Sequence, residues 1–256
     1  CVTKPGVGVN HAVVVMADTL ESAASDTLLS YLPPVITSIT GPGTINADTS
    51  GGQVVTISGS HFGPTSLNAI NFVRYGPPSL FRSDDDDAIV ADHEELYEGV
   101  SCQVIVGTSG SGTQIRCETA PGRGTGHSWF VRIGGQDAVS VFDAMSGYGA
   151  PVVISFSGEG AKDADTTGGQ VVTITGRNFE DSQLQLVRFG RDSALQSLDV
   201  SDAVFVRHED HNTVIVRLPP SIGADLSFTL TVAGQASEAS EDLFSFATPE
   251  VFAVLP

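Results

Sequence analysis

Asp48-Thr49-Ser50-Gly51-Gly52-Gln53-Val54-Val55-Thr56-Ile57-Ser58-Gly59-Ser60-His61-Phe62 occurs a second time, as Asp165-Thr166-Thr167-Gly168-Gly169-Gln170-Val171-Val172-Thr173-Ile174-Thr175-Gly176-Arg177-Asn178-Phe179. The copies differ by Ser/Thr exchanges at Ser50/Thr167 and Ser58/Thr175, and outright only at Ser60/Arg177 and His61/Asn178. Chance does not give such agreement in one chain, so the protein is a tandem repeat, and the repeat sets the frame for every other reading. Within each copy a Gly pair precedes a short β-branched run. That is the pattern of a tight turn leading into a core strand.

The repeat extends on both sides of this stretch. Cys117-Glu118-Thr119-Ala120-Pro121-Gly122-Arg123-Gly124 is followed by Trp129-Phe130-Val131 and then Tyr148-Gly149-Ala150-Pro151-Val152. Val216-Arg217-Leu218-Pro219-Pro220-Ser221-Ile222-Gly223 is followed by Phe228-Thr229-Leu230 and Thr248-Pro249-Glu250-Val251. The opening, Cys1-Val2-Thr3-Lys4-Pro5-Gly6-Val7-Gly8 through Tyr31-Leu32-Pro33-Pro34-Val35, fits the same frame. Residues 1–33 therefore read as the back half of a unit, residues 34–150 and 151–248 as whole units, and residues 249–256 as the first strand of another. The first whole unit carries an acidic insertion over residues 79–100. A chain that begins with Cys rather than Met reads as a processed or excised piece. Half a unit cannot bury a core alone, so residues 1–33 are expected to lean on further chain.

Inside a unit the periodicity is that of short strands. Cys102–Val106 and Thr113–Cys117 flank Gly107-Thr108-Ser109-Gly110-Ser111-Gly112, a hairpin turn. Folding about its centre sets Cys102 opposite Cys117, Val104 opposite Ile115 and Val106 opposite Thr113, with Gln103, Gln114 and Arg116 on the other face. About seven such strands per roughly 100 residues point to an all-β immunoglobulin-type sandwich. Tyr31-Leu32-Pro33-Pro34-Val35 and Tyr148-Gly149-Ala150-Pro151-Val152 leave almost no linker between units, which predicts an elongated rod.

Composition excludes several function classes. The net charge is −18, from 12 Lys and Arg against 30 Asp and Glu, so phosphate-directed nucleic-acid binding and attraction to an anionic membrane surface are excluded. The longest apolar run, Ala12–Ala17, is far too short to span a bilayer. There is no Asn-x-Ser/Thr sequon.

Together, Pro-Val-Ile-x-x-Ile at Pro34, Gly-Gly-x-Val-Val-Thr-Ile-x-Gly-x-x-Phe at Gly51, and a Cys pair followed by Pro121-Gly122-x-Gly124 resemble the IPT/TIG domain. This immunoglobulin-like (E-set) module is found in plexins, the hepatocyte growth factor receptor family, fibrocystin-like proteins and many surface repeat proteins. The resemblance covers the whole chain. It departs from the pattern in the second whole unit, which has no Cys, and in the acidic insertion of the first. It implies a disulfide between Cys102 and Cys117, and a cysteine upstream of the fragment as the partner of Cys1. Val216 stands at the second Cys position of the next unit, where folding the hairpin about Asp210 sets Phe205 opposite it. A lipidated Cys1 is the rival reading. Disulfides imply an oxidising compartment, extracellular or at the cell surface.

The resemblance further implies a non-enzymatic structural or adhesive segment that builds a surface appendage, matrix or filament through its module contacts. Its partners would be modules of the same long chain, further copies, or a surface protein. A receptor ectodomain stalk and a carbohydrate-associated accessory module are the alternatives, and no catalytic residue is assigned.

Each chemical candidate has a plainer counterpart. Asp84-Asp85-Asp86-Asp87, with Asp92, Glu94, Glu95 and Glu98, offers Ca²⁺ a carboxylate cluster, but the spacing is not that of an EF-hand loop, and a solvated acidic loop is the plainer reading. His208-Glu209-Asp210-His211 has ligands for Zn²⁺, yet it falls at a hairpin tip, where polar residues are expected. His93-Glu94-Glu95-Leu96 lacks the second His of a zincin motif. The Gly107–Gly112 run has no Lys and no following helix, so it is a turn and not a phosphate loop. Trp129 reads as core or interface packing.

Overall fold

The computed structural model describes residues 1–67, 69–81, 96–107, 110–140, 145–180, 184–191, 196–198 and 211–253. They form an all-β protein with two compact units: residues 1–47 with 51–148, and residues 149–256 with 48–50. In chain order the strands are β1 (Met16–Ala17), β2 (Leu20–Glu21), β3 (Val35–Thr40), β4 (Val54–Ser60), β5 (Ile70–Gly76), β6 (Tyr97–Glu98), β7 (Val100–Gly107), β8 (Gly110–Glu118), β9 (Thr125–Ile133), β10 (Gln136–Asp137), β11 (Val139–Ser140) and β12 (Ser146–Gly147). The second unit continues with β13 (Val152–Ser157), β14 (Val171–Arg177), β15 (Leu184–Gly190), β16 (Gln196–Leu198), β17 (Thr213–Arg217), β18 (Ser227–Val232) and β19 (Gln235–Ala236).

The first unit closes a sandwich from two sheets, β11-β3-β4-β8-β7 and β10-β9-β5-β6, with β12 also on β9. The pleat turns Val55 and Ile57 of β4, Ile115 and Cys117 of β8, and Val131 and Ile133 of β9 into one buried core. Thr56 and Ser58, between them, are only half-buried. The second unit repeats the plan with β13-β14-β17 against β16-β15-β18-β19. Its core is phenylalanine-rich: Phe228 and Phe244 stack at 4.6 Å, with Phe156 edge-on to Phe228 at 5.1 Å.

Registers match between units. β3 on β4 breaks between Ile36 and Ser38, and β13 on β14 breaks between Val153 and Ser155. At that bulge the chains approach so closely that a side chain on Gly59 or Gly176 would run into the Val35 or Val152 carbonyl.

Two sequence expectations meet a different geometry. Val106 pairs with Ser111, not Thr113, because a register shift after Ile105 skips residues 112 and 113, and Val106 is exposed. Tyr97–Glu98, assigned to the acidic insertion, is a strand paired with β5, in the place where β16 pairs with β15. Separately, residues 249–253 carry no strand, and Val251 and Phe252 are exposed. An edge strand holds only where a neighbouring ladder receives it, and none does so among the described residues.

Candidate functional site

Cys102 and Cys117 are disulfide-bonded with Cα atoms 4.2 Å apart, joining β7 to β8. Gly99 makes room for the bridge: a Cβ there would sit 2.8 Å from Cys102 Sγ and 3.4 Å from Cys117 Sγ. Cys1 is a free, exposed thiol. Val216 is fully buried without a bridge. The aspartates Asp84–Asp87, together with His93, Phe205 and His208–Asp210, lie outside the described residues. Among the described residues no three His, Cys, Asp or Glu side chains gather as a metal would require.

The Gly pairs serve the fold. Gly51 and Gly168 have φ of 76° and 74°, and a Cβ on either would come within 2.5 Å of the backbone at Ala120 or Pro219. The next N–H, of Gly52 or Gly169, donates to the Thr119 or Leu218 carbonyl at 2.8 Å in both units. Each glycine pair thus locks the turn before β4 or β14 onto the loop after β8 or β17.

In the first unit that loop is held by a buried aromatic group. Tyr75 stacks on Trp129 at 4.3 Å, and Tyr97, His127 and Tyr148 surround them. The hydroxyls close a ring of hydrogen bonds. Ala120 N–H donates to Tyr75 Oη at 2.8 Å, Tyr75 Oη lies 2.7 Å from Tyr148 Oη, and Tyr148 donates to the Ala120 carbonyl at 2.6 Å. Arg123 N–H donates to Tyr97 Oη at 3.1 Å, and Trp129 Nε1–H donates to Ser146 Oγ at 2.8 Å. Burial pushes the Tyr75 hydroxyl up to about 12 and also raises that of Tyr148. His127 is buried, its Nδ1 has no hydrogen-bond partner, and desolvation lowers its pKa to about 4.

The second unit shows why this chemistry belongs to folding. Pro219 occupies the place of Ala120, and Pro has no N–H to satisfy. There the group is all-apolar: Phe189 for Tyr75, Phe228 for Trp129, Phe246 for Tyr148 and Leu226 for His127, as the strand registers show. Sequence reasoning read Trp129 as core or interface packing, and the structure puts it in the core; the tyrosines were missed. The signal was available in Ala120 against Pro219.

Two clefts open in the first unit. One, of about 690 Å³, is lined by Lys4, Tyr31, Leu32, Ser60, His61 and Pro64. The other, of about 410 Å³, is lined by Val7, His11, Leu29, Tyr31 and Leu67. In the larger, Ser60 Oγ lies 3.4 Å from His61 Nδ1, which is closer to the Pro33 carbonyl at 3.2 Å. With Nδ1–H donating to that carbonyl, it cannot take the Ser60 proton, so the pair is no activated nucleophile.

The IPT/TIG domain family matches residues 34–144 and 151–246. No curated protein sequence matches the chain. Among solved structures, SGBP-B from a complex xyloglucan utilization locus in Bacteroides uniformis is 17% identical over 83% of this chain and 49% of its own, with a TM-score of 0.30. The Yersinia pseudotuberculosis adhesin InvE is 15% identical over 83% of this chain and 58% of its own, with a TM-score of 0.38. The chain spans about half the length of these relatives.

Proposed function

The chain belongs to the IPT/TIG domain family, and on that premise we propose that it is a non-enzymatic structural and adhesive segment of a larger extracellular protein, working through contacts made by its module surfaces. One observation carries the reading. His127 and the tyrosines around it are consumed in closing the first module, the Gly pairs are consumed in closing both, and the second unit closes the same way with phenylalanines and a leucine in place of the tyrosines, tryptophan and histidine. The Cys102–Cys117 bridge supports an oxidising compartment.

Electron microscopy of the parent protein in its native assembly tests the proposal. Modules touching neighbours side by side through their faces are the expected result. Solitary chains with no lateral contact would overturn it and favour a receptor ectodomain that binds a soluble ligand.

A further inference from the structure

Residues 8–31 build a ladder that recurs, bond for bond, over residues 223–246. His11 and Leu29 exchange both backbone hydrogen bonds, as Leu226 and Phe244 do. Ser25 N–H donates to the Val13 carbonyl and Ser22 N–H to the Val15 carbonyl; Ser240 to Phe228 and Ser237 to Leu230 are their counterparts. The side chains repeat as well: Ser25 Oγ accepts from Val13 N–H and Ser22 Oγ from Val15 N–H, as Ser240 and Ser237 accept from Phe228 and Leu230. Tyr31 N–H donates to Gly8, as Phe246 does to Gly223. Even the left-handed residues coincide, Asn10 with Asp225 and Asp18 with Ala233.

One thing differs: the ladder at 8–31 has no cover. Val13, Val15 and Leu29 are 43%, 63% and 45% exposed, whereas Phe228, Leu230 and Phe244 at the same positions are 0%, 0% and 2% exposed. No strand pairs with the second edge of residues 12–16 among the described residues, the edge that β15 fills on β18 and β5 fills on β9. Cys1, equivalent to Cys117, is exposed and unbonded. An apolar face, an open strand edge and a thiol are all left over, each at the position where the other modules receive their front half.

We infer that the face formed by Val13, Val15, Leu29 and Tyr31 is the docking surface for the front half of an IPT/TIG module. That partner supplies an antiparallel strand alternating like Ile70–Gly76 along the open edge, and a hairpin strand whose cysteine is disulfide-bonded to Cys1. Oxidation of the two thiols by the disulfide-forming machinery of an oxidising compartment gives one S–S bond and releases two protons and two electrons to that oxidant. Completion buries the apolar face and pairs the free edge, removing a template for aggregation. The inference rests on the module frame and not on the scaffold role, so the two can fail separately.

The test uses the protein as isolated from its source, with thiols blocked by N-ethylmaleimide and peptides mapped without reduction, alongside hydrogen–deuterium exchange. The expected result is a Cys1 peptide linked to a cysteine in a β-alternating segment. Amides of Ala12, Val14 and Met16 should also exchange at least about 100-fold more slowly than in the 256-residue chain alone. Val15→Asp should leave the 256-residue chain unaffected and abolish that protection in the isolated protein. A maleimide-labelled or acylated Cys1, a Cys1–Cys1 link between two copies, or fast exchange at those amides would each overturn the inference.

Discussion

A single missing hydrogen accounts for one difference between the two cores. Ala120 has an N–H that the fold buries, so Tyr75 must bring a hydroxyl to it; Pro219 has none, so Phe189 suffices. Tyr75→Phe leaves the Ala120 N–H without an acceptor and should cost about 1–3 kcal/mol in denaturant melts of the first unit. Adding Ala120→Pro should recover much of that loss, a coupling that a double-mutant cycle reads directly. His127 gives a pH prediction. Its folded pKa is about 4, below the ordinary histidine value of 6.5, so the unfolded chain binds the extra proton. Stability is therefore complete above pH ~6.5, falls as pH drops toward ~4 by on the order of 3 kcal/mol, and falls no further from this group below that. His127→Leu, the residue type at position 226, should flatten this dependence in urea melts taken across pH 4 to 7.

Elements show what the sequence makes legible. The repeat and the alternation of Val55, Ile57, Val172 and Ile174 identify the sandwich and its core strands, because a period of two leaves only one face to bury. Cys102 opposite Cys117 follows from folding the hairpin about its centre. Val106 does not, because the skipped residues 112 and 113 depend on backbone conformation at the turn, which composition does not encode. Nor is the Tyr75–Tyr148–Ala120 ring legible, since its three members come from β5, the residue after β12 and the loop after β8, far apart in the chain. The disulfide joins residues 15 apart, and closing so short a loop is worth about 3 kcal/mol. Cys102→Ala with Cys117→Ala should lower the midpoint of the first unit accordingly. Gly99→Ala should destabilise it too, because the new methyl group meets Cys102 Sγ at 2.8 Å. If Gly99→Ala is neutral in the cysteine-free background, that contact is the cause.

At the scale of the molecule, each unit closes a core of its own, and the two are held by different means: a disulfide, tyrosine hydroxyls and a buried imidazole in the first, and packed phenylalanines in the second. The same fold therefore carries two chemical sensitivities. Reductant and mild acid act on the first core at Cys102–Cys117 and His127; at the equivalent positions of the second core stand Val216 and Leu226, which neither reduce nor titrate. At pH 5 with reductant the summed loss to the first unit is about 5 kcal/mol, from roughly 3 for the bridge and 2 for the histidine. That is a large part of the stability an ordinary domain has. Hydrogen–deuterium exchange under those conditions should show β4, β8 and β9 losing protection while β14, β17 and β18 keep it. Equal loss in both sets would mean that the phenylalanine core does not stand by itself, and that the difference in side-chain chemistry between the copies has no consequence for stability.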